Sequence, residues 1–207
     1  PEKRELLLHM LCTAVSVLLA LAVHELGHLT LGLAAKLDFK EYTVGFLTVQ
    51  QYDGKIRLNE NKYWAHFGGL VVFTPPANLA VENITPRWKL LALGGPLFSL
   101  IYGLIALALG DLSTYGGFLI QASGVISLAV FVVSVFPHFE GAGYSDGAVV
   151  RLMQRGGPKA ELYLSTVLLL PLLFDSTSPD RWPHSRLQEA RRRLTPADQP
   201  LRSVSAC

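Results

Sequence analysis

The chain has 207 residues, of which half are hydrophobic and only 16% are charged. Soluble globular domains carry about 25% charged residues, so this composition indicates a membrane protein. The net charge of +2 and the lack of a basic stripe interleaved with aromatic residues argue against a nucleic-acid partner. The two cysteines, Cys12 and Cys207, form no C-x-x-C motif, so neither a disulfide framework nor a cysteine zinc site is predicted.

Three apolar stretches are long enough to cross a bilayer, for which a helix needs about 20 residues. They predict membrane-spanning helices over residues 6–37, 88–110 and 112–137. A fourth apolar stretch, Leu162–Phe174, has 13 residues and contains Pro171, which favours a re-entrant or interfacial segment. The predicted fold class is therefore membrane α-helical, with three core transmembrane helices.

The segment between the first two helices is rich in β-branched and aromatic residues. It predicts a membrane-associated β-region over about residues 39–74. Tyr52-Asp53-Gly54 supplies a turn, so we expect a β-hairpin in which Tyr42–Gln50 pairs with Lys55–Asn59. A further short strand is predicted at Gly69–Phe73, before two prolines.

The distribution of basic residues predicts the orientation in the membrane. Lysine and arginine are concentrated between the first two helices and after the third. The positive-inside rule places these segments in the cytoplasm and the N-terminus outside. We expect an intramembrane domain over residues 1–174 and a polar, arginine-rich cytoplasmic tail over residues 175–207, with a short helix at Ser185–Leu194.

The first apolar helix contains the sequence His24-Glu25-Leu26-Gly27-His28. Residues four apart share a helix face, so His24 and His28 can both reach one zinc ion at about 2.0–2.1 Å. Glu25 can then reach water bound to that ion, as the general base of an H-E-x-x-H site. An acid at the centre of a membrane helix costs at least about 2.5 kcal/mol and is functional by default. The competing interpretation is a polar helix end at the membrane interface.

A catalytic zinc ion keeps three protein ligands and one open position. The third ligand must therefore come from another part of the chain. The segment after the third helix offers His138, Glu140 and Asp146, and side-chain chemistry alone permits any of the three.

The HELGH motif in an early membrane helix resembles the site-2 protease family of intramembrane zinc metalloproteases. That family has an Asp-Gly pair after an Asn-x-x-Pro turn; Asp146-Gly147 matches the pair, and the segment from Ser134 to Pro137 matches the turn, with serine replacing asparagine. The segment from Gly95 to Ser99 is similar to the family's Gly-Pro-x-x-Asn element, again with serine replacing asparagine. His66-Phe67-Gly68-Gly69 is similar to a Gly-Gly element of the family's β-region. The resemblance spans residues 6 to 150.

The resemblance implies a zinc-dependent intramembrane endopeptidase with one catalytic Zn²⁺, in a multi-pass protein of a bacterial plasma membrane. It assigns Asp146 as the third ligand, with Glu140 as the alternative, and Glu25 as the catalytic base. It also implies substrate-binding residues, namely His66, Gly69, Ser99, Ser134 and Pro137. The expected partners are the lipid bilayer and a membrane-embedded or membrane-bound peptide, which the β-hairpin could hold by strand addition.

Two other functions remain open. A degenerate relative could bind zinc and substrates without cleaving them; the serines at the two asparagine positions favour this, whereas the intact Glu25 argues against it. A transporter or channel component would need more helices, with charged partners across them, than the three predicted spans provide. The sequence makes no prediction of oligomeric state.

Overall fold

A computed structural model describes residues 2–52, 54–76, 83–140, 143–174 and 184–194. The described chain is mostly helical, with a four-stranded antiparallel sheet between its first two helices. Its three long helices are α1 (Glu2–Ala34), α2 (Ile84–Leu109) and α3 (Tyr115–Val135). All three are long and apolar enough to cross a membrane. The three long apolar helices predicted from the sequence are confirmed, with ends displaced by one to four residues.

The end of α1 comes three residues earlier than predicted. Lys36 adopts a left-handed conformation with φ of 57°, which a helix interior does not permit. The amide of Leu37 donates to the carbonyl of Gly32 at 3.1 Å, and the amide of Lys36 donates to that of Leu33 at 2.9 Å. This pair of bonds is a Schellman cap, which satisfies carbonyls left free at the helix end and turns the chain toward the sheet.

The sheet has the strand order β3-β2-β1-β4. Its strands are β1 (Asp38–Val44), β2 (Leu47–Tyr52), β3 (Lys55–Glu60) and β4 (Leu70–Thr74). The predicted continuous strand over Tyr42–Gln50 is wrong. Gly45, with φ of +56°, opens a two-residue turn, and Val44 faces Leu47 across it.

The predicted hairpin turn is nevertheless present between β2 and β3, where Tyr52 pairs with Lys55. The strand predicted at Gly69–Phe73 is found as β4, which pairs with β1. One edge of the sheet is therefore β3 and the other is β4.

The helices α1 and α2 touch through their backbones at two glycines. A Cβ on Gly27 would overlap the carbonyl of Gly94, and a Cβ on Gly94 would overlap the carbonyl of Gly27. Small residues permit such close approach between membrane helices. Further along, a Cβ on Gly103 of α2 would lie 2.6 Å from the side chain of Leu128 in α3.

The sheet packs on the second half of α1 through β1 and β4. The ring of Phe73, which is only 2% exposed, lies where a Cβ on Gly32 would be. The Tyr42 hydroxyl donates to the carbonyl of Ala22 at 3.0 Å. These contacts fix β4 and the segment before it alongside the HELGH turn of α1.

The chain divides into two compact units, Pro1–Arg151 and Leu152–Cys207. The first ends in a two-stranded ladder, β5 (Phe139–Glu140) with β6 (Gly143–Tyr144), and in the start of α4 (Asp146–Arg155). In the second unit, α5 (Pro158–Phe174) packs against α6 (His184–Leu194), and the Ser165 hydroxyl donates to the carbonyl of Ala190. The helix α6 corresponds to the one predicted at Ser185–Leu194, and α5 adds a polar first turn to the predicted apolar segment.

We expect Gly94→Ala to lower the free energy of unfolding by about 1–3 kcal/mol, because the new methyl group meets backbone atoms that can move only if the helices separate. The midpoint of thermal unfolding in detergent would measure this loss. Gly116→Ala is the matched control, because a Cβ there meets open space and alanine favours helix by up to about 1 kcal/mol. Equal stability of the two variants would contradict the close crossing.

Candidate metal centre

The two histidines of the HELGH motif lie one turn apart on α1, with their Nε2 atoms 3.2 Å apart. His24 is buried and the His28 side chain is only 12% exposed. Both rings turn the Nε2 atom toward Asp146. Its Oδ2 atom lies 3.3 Å from Nε2 of His24, and its Oδ1 atom lies 3.4 Å from Nε2 of His28.

Asp146 is the first residue of α4, and its neighbours explain how it reaches α1. Ser145 caps α4, because its Oγ accepts from the amide of Ala148 at 3.2 Å. The same hydroxyl donates to the carbonyl of Phe136 at 2.9 Å, which ties the cap to the end of α3. A Cβ on Gly147 would overlap the carbonyl of Val135, so only glycine lets α4 begin this close to α3.

The three side chains fit a tetrahedral metal ion. Ligand bonds of about 2.0–2.1 Å in a tetrahedron place ligand atoms about 3.3–3.4 Å apart. The two Nε2 atoms lie 3.2 Å apart, and each lies at a similar distance, 3.3 Å or 3.4 Å, from a different oxygen of Asp146. Among the described residues, this is the one group of three or more His, Cys, Asp or Glu side chains close enough to share an ion. Two imidazoles and a carboxylate are a donor set that suits zinc.

Helix α2 contacts both imidazoles at Nδ1, on the side of each ring opposite the Nε2 atom that faces Asp146. Nδ1 of His28 donates to the carbonyl of Leu91 at 2.8 Å. Because a carbonyl can only accept, the proton is on Nδ1 and the lone pair of Nε2 is free for a metal. Nδ1 of His24 lies 2.9 Å from Oγ of Ser99. Gly95 lies between these two contacts, and a Cβ there would overlap both rings.

The Glu25 side chain is covered by the loop that leads into β4. Gly69 has φ of +119°, and a Cβ on it would lie 2.6 Å from Oε1 of Glu25. The turn that brings Gly69 here is closed by its amide, which donates to the carbonyl of His66 at 3.1 Å. Tyr42 of β1 also faces this region: burial raises the pKa of its hydroxyl, and the negative charge of Glu25 raises it further.

Of the residues predicted to bind substrate, Gly69 lies against Glu25 and Ser99 against His24. The His66 ring is 4.0 Å from Glu41 of β1. The Ser134 hydroxyl donates to the carbonyl of Phe131 within α3, at 3.1 Å.

Three further residues belong to the segment after α3. Pro137 is exposed where that segment begins. His138, a possible third ligand, donates from Nδ1 to the carbonyl of Phe136 at 2.8 Å. The side chain of Glu140, the alternative to Asp146, lies outside the described part of the chain.

Sequence reasoning missed the contacts that orient the site. Leu91 acts through its backbone carbonyl, and no sequence pattern predicts such a contact. The role of Ser145 could have been predicted, because a serine directly before an amphipathic helical pattern is a typical N-cap. Gly95 was named as the first residue of the segment similar to the family's Gly-Pro-x-x-Asn element, whereas the structure places it under the imidazoles.

Comparison with known proteins gives a match to one family. No curated protein and no solved structure matches the chain significantly. One family model, described as Peptidase family M50, matches residues 12–194, which includes both the HELGH motif and Asp146. Because the match covers most of the chain, the protein belongs to peptidase family M50, the site-2 protease family.

Proposed function

We propose that the protein is a zinc-dependent intramembrane endopeptidase, with His24, His28 and Asp146 as zinc ligands and Glu25 as the general base. The observation that carries this proposal is the group of His24, His28 and Asp146, whose ligand atoms lie within 4.8 Å of one another. The Glu25 carboxylate belongs to the residue next to His24. Membership of family M50 supports the metalloprotease class.

The packing of the helices supports a site inside the bilayer. His9 contacts Tyr115 and Phe118 at the start of α3, with ring centroids 5.2 Å apart in both pairs. At about 1.5 Å per residue, His24 lies about 22 Å further along α1, whereas α3 is about 31 Å long. If α3 spans a hydrocarbon core of about 30 Å, His24 lies about 10 Å from the face at which α3 ends. The basic segments on that side make it the cytoplasmic face, with the N-terminus outside.

The reaction we assign to these residues is hydrolysis of a peptide bond. The ion, when bound, would supply Lewis-acid polarisation of the scissile carbonyl. Glu25 takes the proton from the attacking water and gives it to the nitrogen of the leaving amine. Gly95 keeps the space beside the imidazoles free, and Asp146 and α2 hold the two rings in place.

The substrate class that suits this site is a membrane-embedded or membrane-bound peptide in an extended conformation. A helix hides its carbonyls in internal hydrogen bonds, so the peptide must unwind before it can react. Of the two edge strands in the described sheet, β4 is the nearer to Glu25, because Gly69 directly precedes it. The hairpin expected to receive the peptide ends in β3, at the opposite edge of the sheet. We therefore assign strand addition to β4.

Glu25→Gln tests the general base. We expect peptide cleavage in detergent to fall by about 10²- to 10⁴-fold with zinc content unchanged, because the amide cannot take a proton while the ligands stay intact. Glu5→Gln, which changes an exposed carboxyl on the same helix, is the control. Full cleavage by Glu25→Gln would contradict the mechanism, and tight zinc binding by wild type without cleavage of any membrane peptide would favour the non-enzymatic alternative.

Asp146→Ala and Glu140→Ala test the third ligand. We expect elemental analysis to show loss of zinc in the Asp146 variant, because two imidazoles alone leave the ion incompletely held. The Glu140 variant should keep one zinc ion per chain. Loss of zinc only in the Glu140 variant would overturn the assignment.

Gly69→Ala tests the loop over Glu25. We expect strongly reduced cleavage with zinc retained, because the methyl group would displace the carboxylate and the φ of +119° disfavours any side chain. Gly68→Ala is the matched control, since a Cβ there meets open space. Similar cleavage rates for the two variants would show that this loop does not position Glu25.

A further inference from the structure

We infer that Ser99 is a positioning residue for the His24 imidazole, and that Ser127 of α3 holds Ser99 in place. This inference rests on the proposed zinc site and concerns what orients it. It gives Ser99 a role different from the substrate binding that the sequence resemblance implied.

Ser99 contacts the His24 ring directly. The Ser99 side chain is fully buried, and its Oγ lies 2.9 Å from Nδ1 of His24. The opposite nitrogen of the same ring, Nε2, faces Asp146 at 3.3 Å. For Nε2 to bind a metal, Nδ1 must carry the proton, and the hydroxyl oxygen of Ser99 is then its acceptor.

The two histidines are oriented by different kinds of group. His28 is oriented by the backbone carbonyl of Leu91, which α2 supplies whatever side chain stands there. His24 is instead oriented by a side chain. Removing one hydroxyl at Ser99 therefore frees the His24 ring to rotate, while the His28 contact is unaffected.

Helix α3 is linked to the same ring through Ser127. The Ser127 hydroxyl donates to the backbone carbonyl of Ser99 at 3.0 Å, and Ser127 is also fully buried. Ser127 thus fixes the turn of α2 from which the Ser99 side chain extends. The C-terminal end of α3 also contacts Ser145, the residue before Asp146, so α3 helps to position both proposed ligands.

The test is the zinc dissociation constant of the purified full chain in detergent, measured by competition with a chelator. We expect Ser99→Ala to weaken zinc binding by about 10- to 100-fold, the usual effect of removing a group that orients a ligand. Ser127→Ala should weaken it less, and the double variant should be no worse than Ser99→Ala, because Ser127 acts through Ser99.

Ser123→Ala is the matched control. Ser123 is equally buried on α3, and its Oγ lies 2.7 Å from the Tyr102 hydroxyl of α2, so it also joins these two helices. We expect the zinc affinity of the Ser123→Ala variant to stay within about 2-fold of wild type. The unfolding midpoint of the zinc-free protein should fall by similar amounts in Ser99→Ala and Ser123→Ala, because both lose an interhelical contact.

Substitution of Co²⁺ for zinc gives a second signature, since its visible absorption reports the ligand geometry. We expect the Ser99→Ala spectrum to differ from wild type and the Ser123→Ala spectrum to match it. Zinc affinities of Ser99→Ala and Ser127→Ala equal to that of Ser123→Ala would overturn the inference; if Ser99→Ala does not fold, Ser127→Ala decides alone. A wild-type protein without zinc, or a His24→Ala variant that keeps it, would instead show that the proposed metal site is wrong, and the inference would fall with it.

Discussion

The contact between the backbones of α1 and α2 at Gly27 and Gly94 is the constraint on which the rest of the site depends. Each glycine precedes a residue of the site, His28 on α1 and Gly95 on α2. Because the backbones touch, the imidazoles must lie over α2, and only a residue without a side chain leaves room for them. The flanking turns of α2 then meet the rings from either side, through the Leu91 carbonyl and the Ser99 hydroxyl. One close crossing thus sets both the space for the histidines and their hydrogen-bond partners.

The sheet depends on the same helix. Phe73 packs against Gly32, and the Tyr42 hydroxyl donates a hydrogen bond to the carbonyl of Ala22. Strands β1 and β4 therefore lie along the part of α1 that contains the HELGH motif. In a bilayer, unpaired backbone groups cost several kcal/mol each, so an open strand edge is disfavoured unless protein or water covers it. In the described sheet β4 is an edge strand that begins beside Glu25, so pairing with an extended peptide, as proposed, would recover this free energy. The cost of exposing the edge would then favour the binding of such a peptide.

The sequence predicted the features whose signals are local. Apolar length predicts the three long helices, and the four-residue spacing of His24 and His28 predicts a shared helix face. The β-region was predicted in part, because a single glycine within a β-branched run does not reveal that Gly45 takes a positive φ and divides the strand. The choice among possible third ligands was open on chemistry alone. It depends on how the segment after α3 folds, through the Ser145 cap and the approach of Gly147 to Val135.

The buried serines show why a weak interaction can matter more for geometry than for stability. The hydroxyls of Ser16, Ser123 and Ser127 each reach a neighbouring helix, at Leu119, Tyr102 and Ser99 respectively. Hydrogen bonds of this kind between membrane helices average about 0.6 kcal/mol, which is small beside the close packing of the glycines. The contact from Ser99 to His24 differs because it orients a ring that, in the proposed zinc site, would bind the metal ion. About 1.4 kcal/mol corresponds to tenfold in an equilibrium constant, so a modest preference for one ring orientation already changes metal affinity measurably. A serine at this position can therefore add little to holding the helices together and still determine how well the site holds its ion.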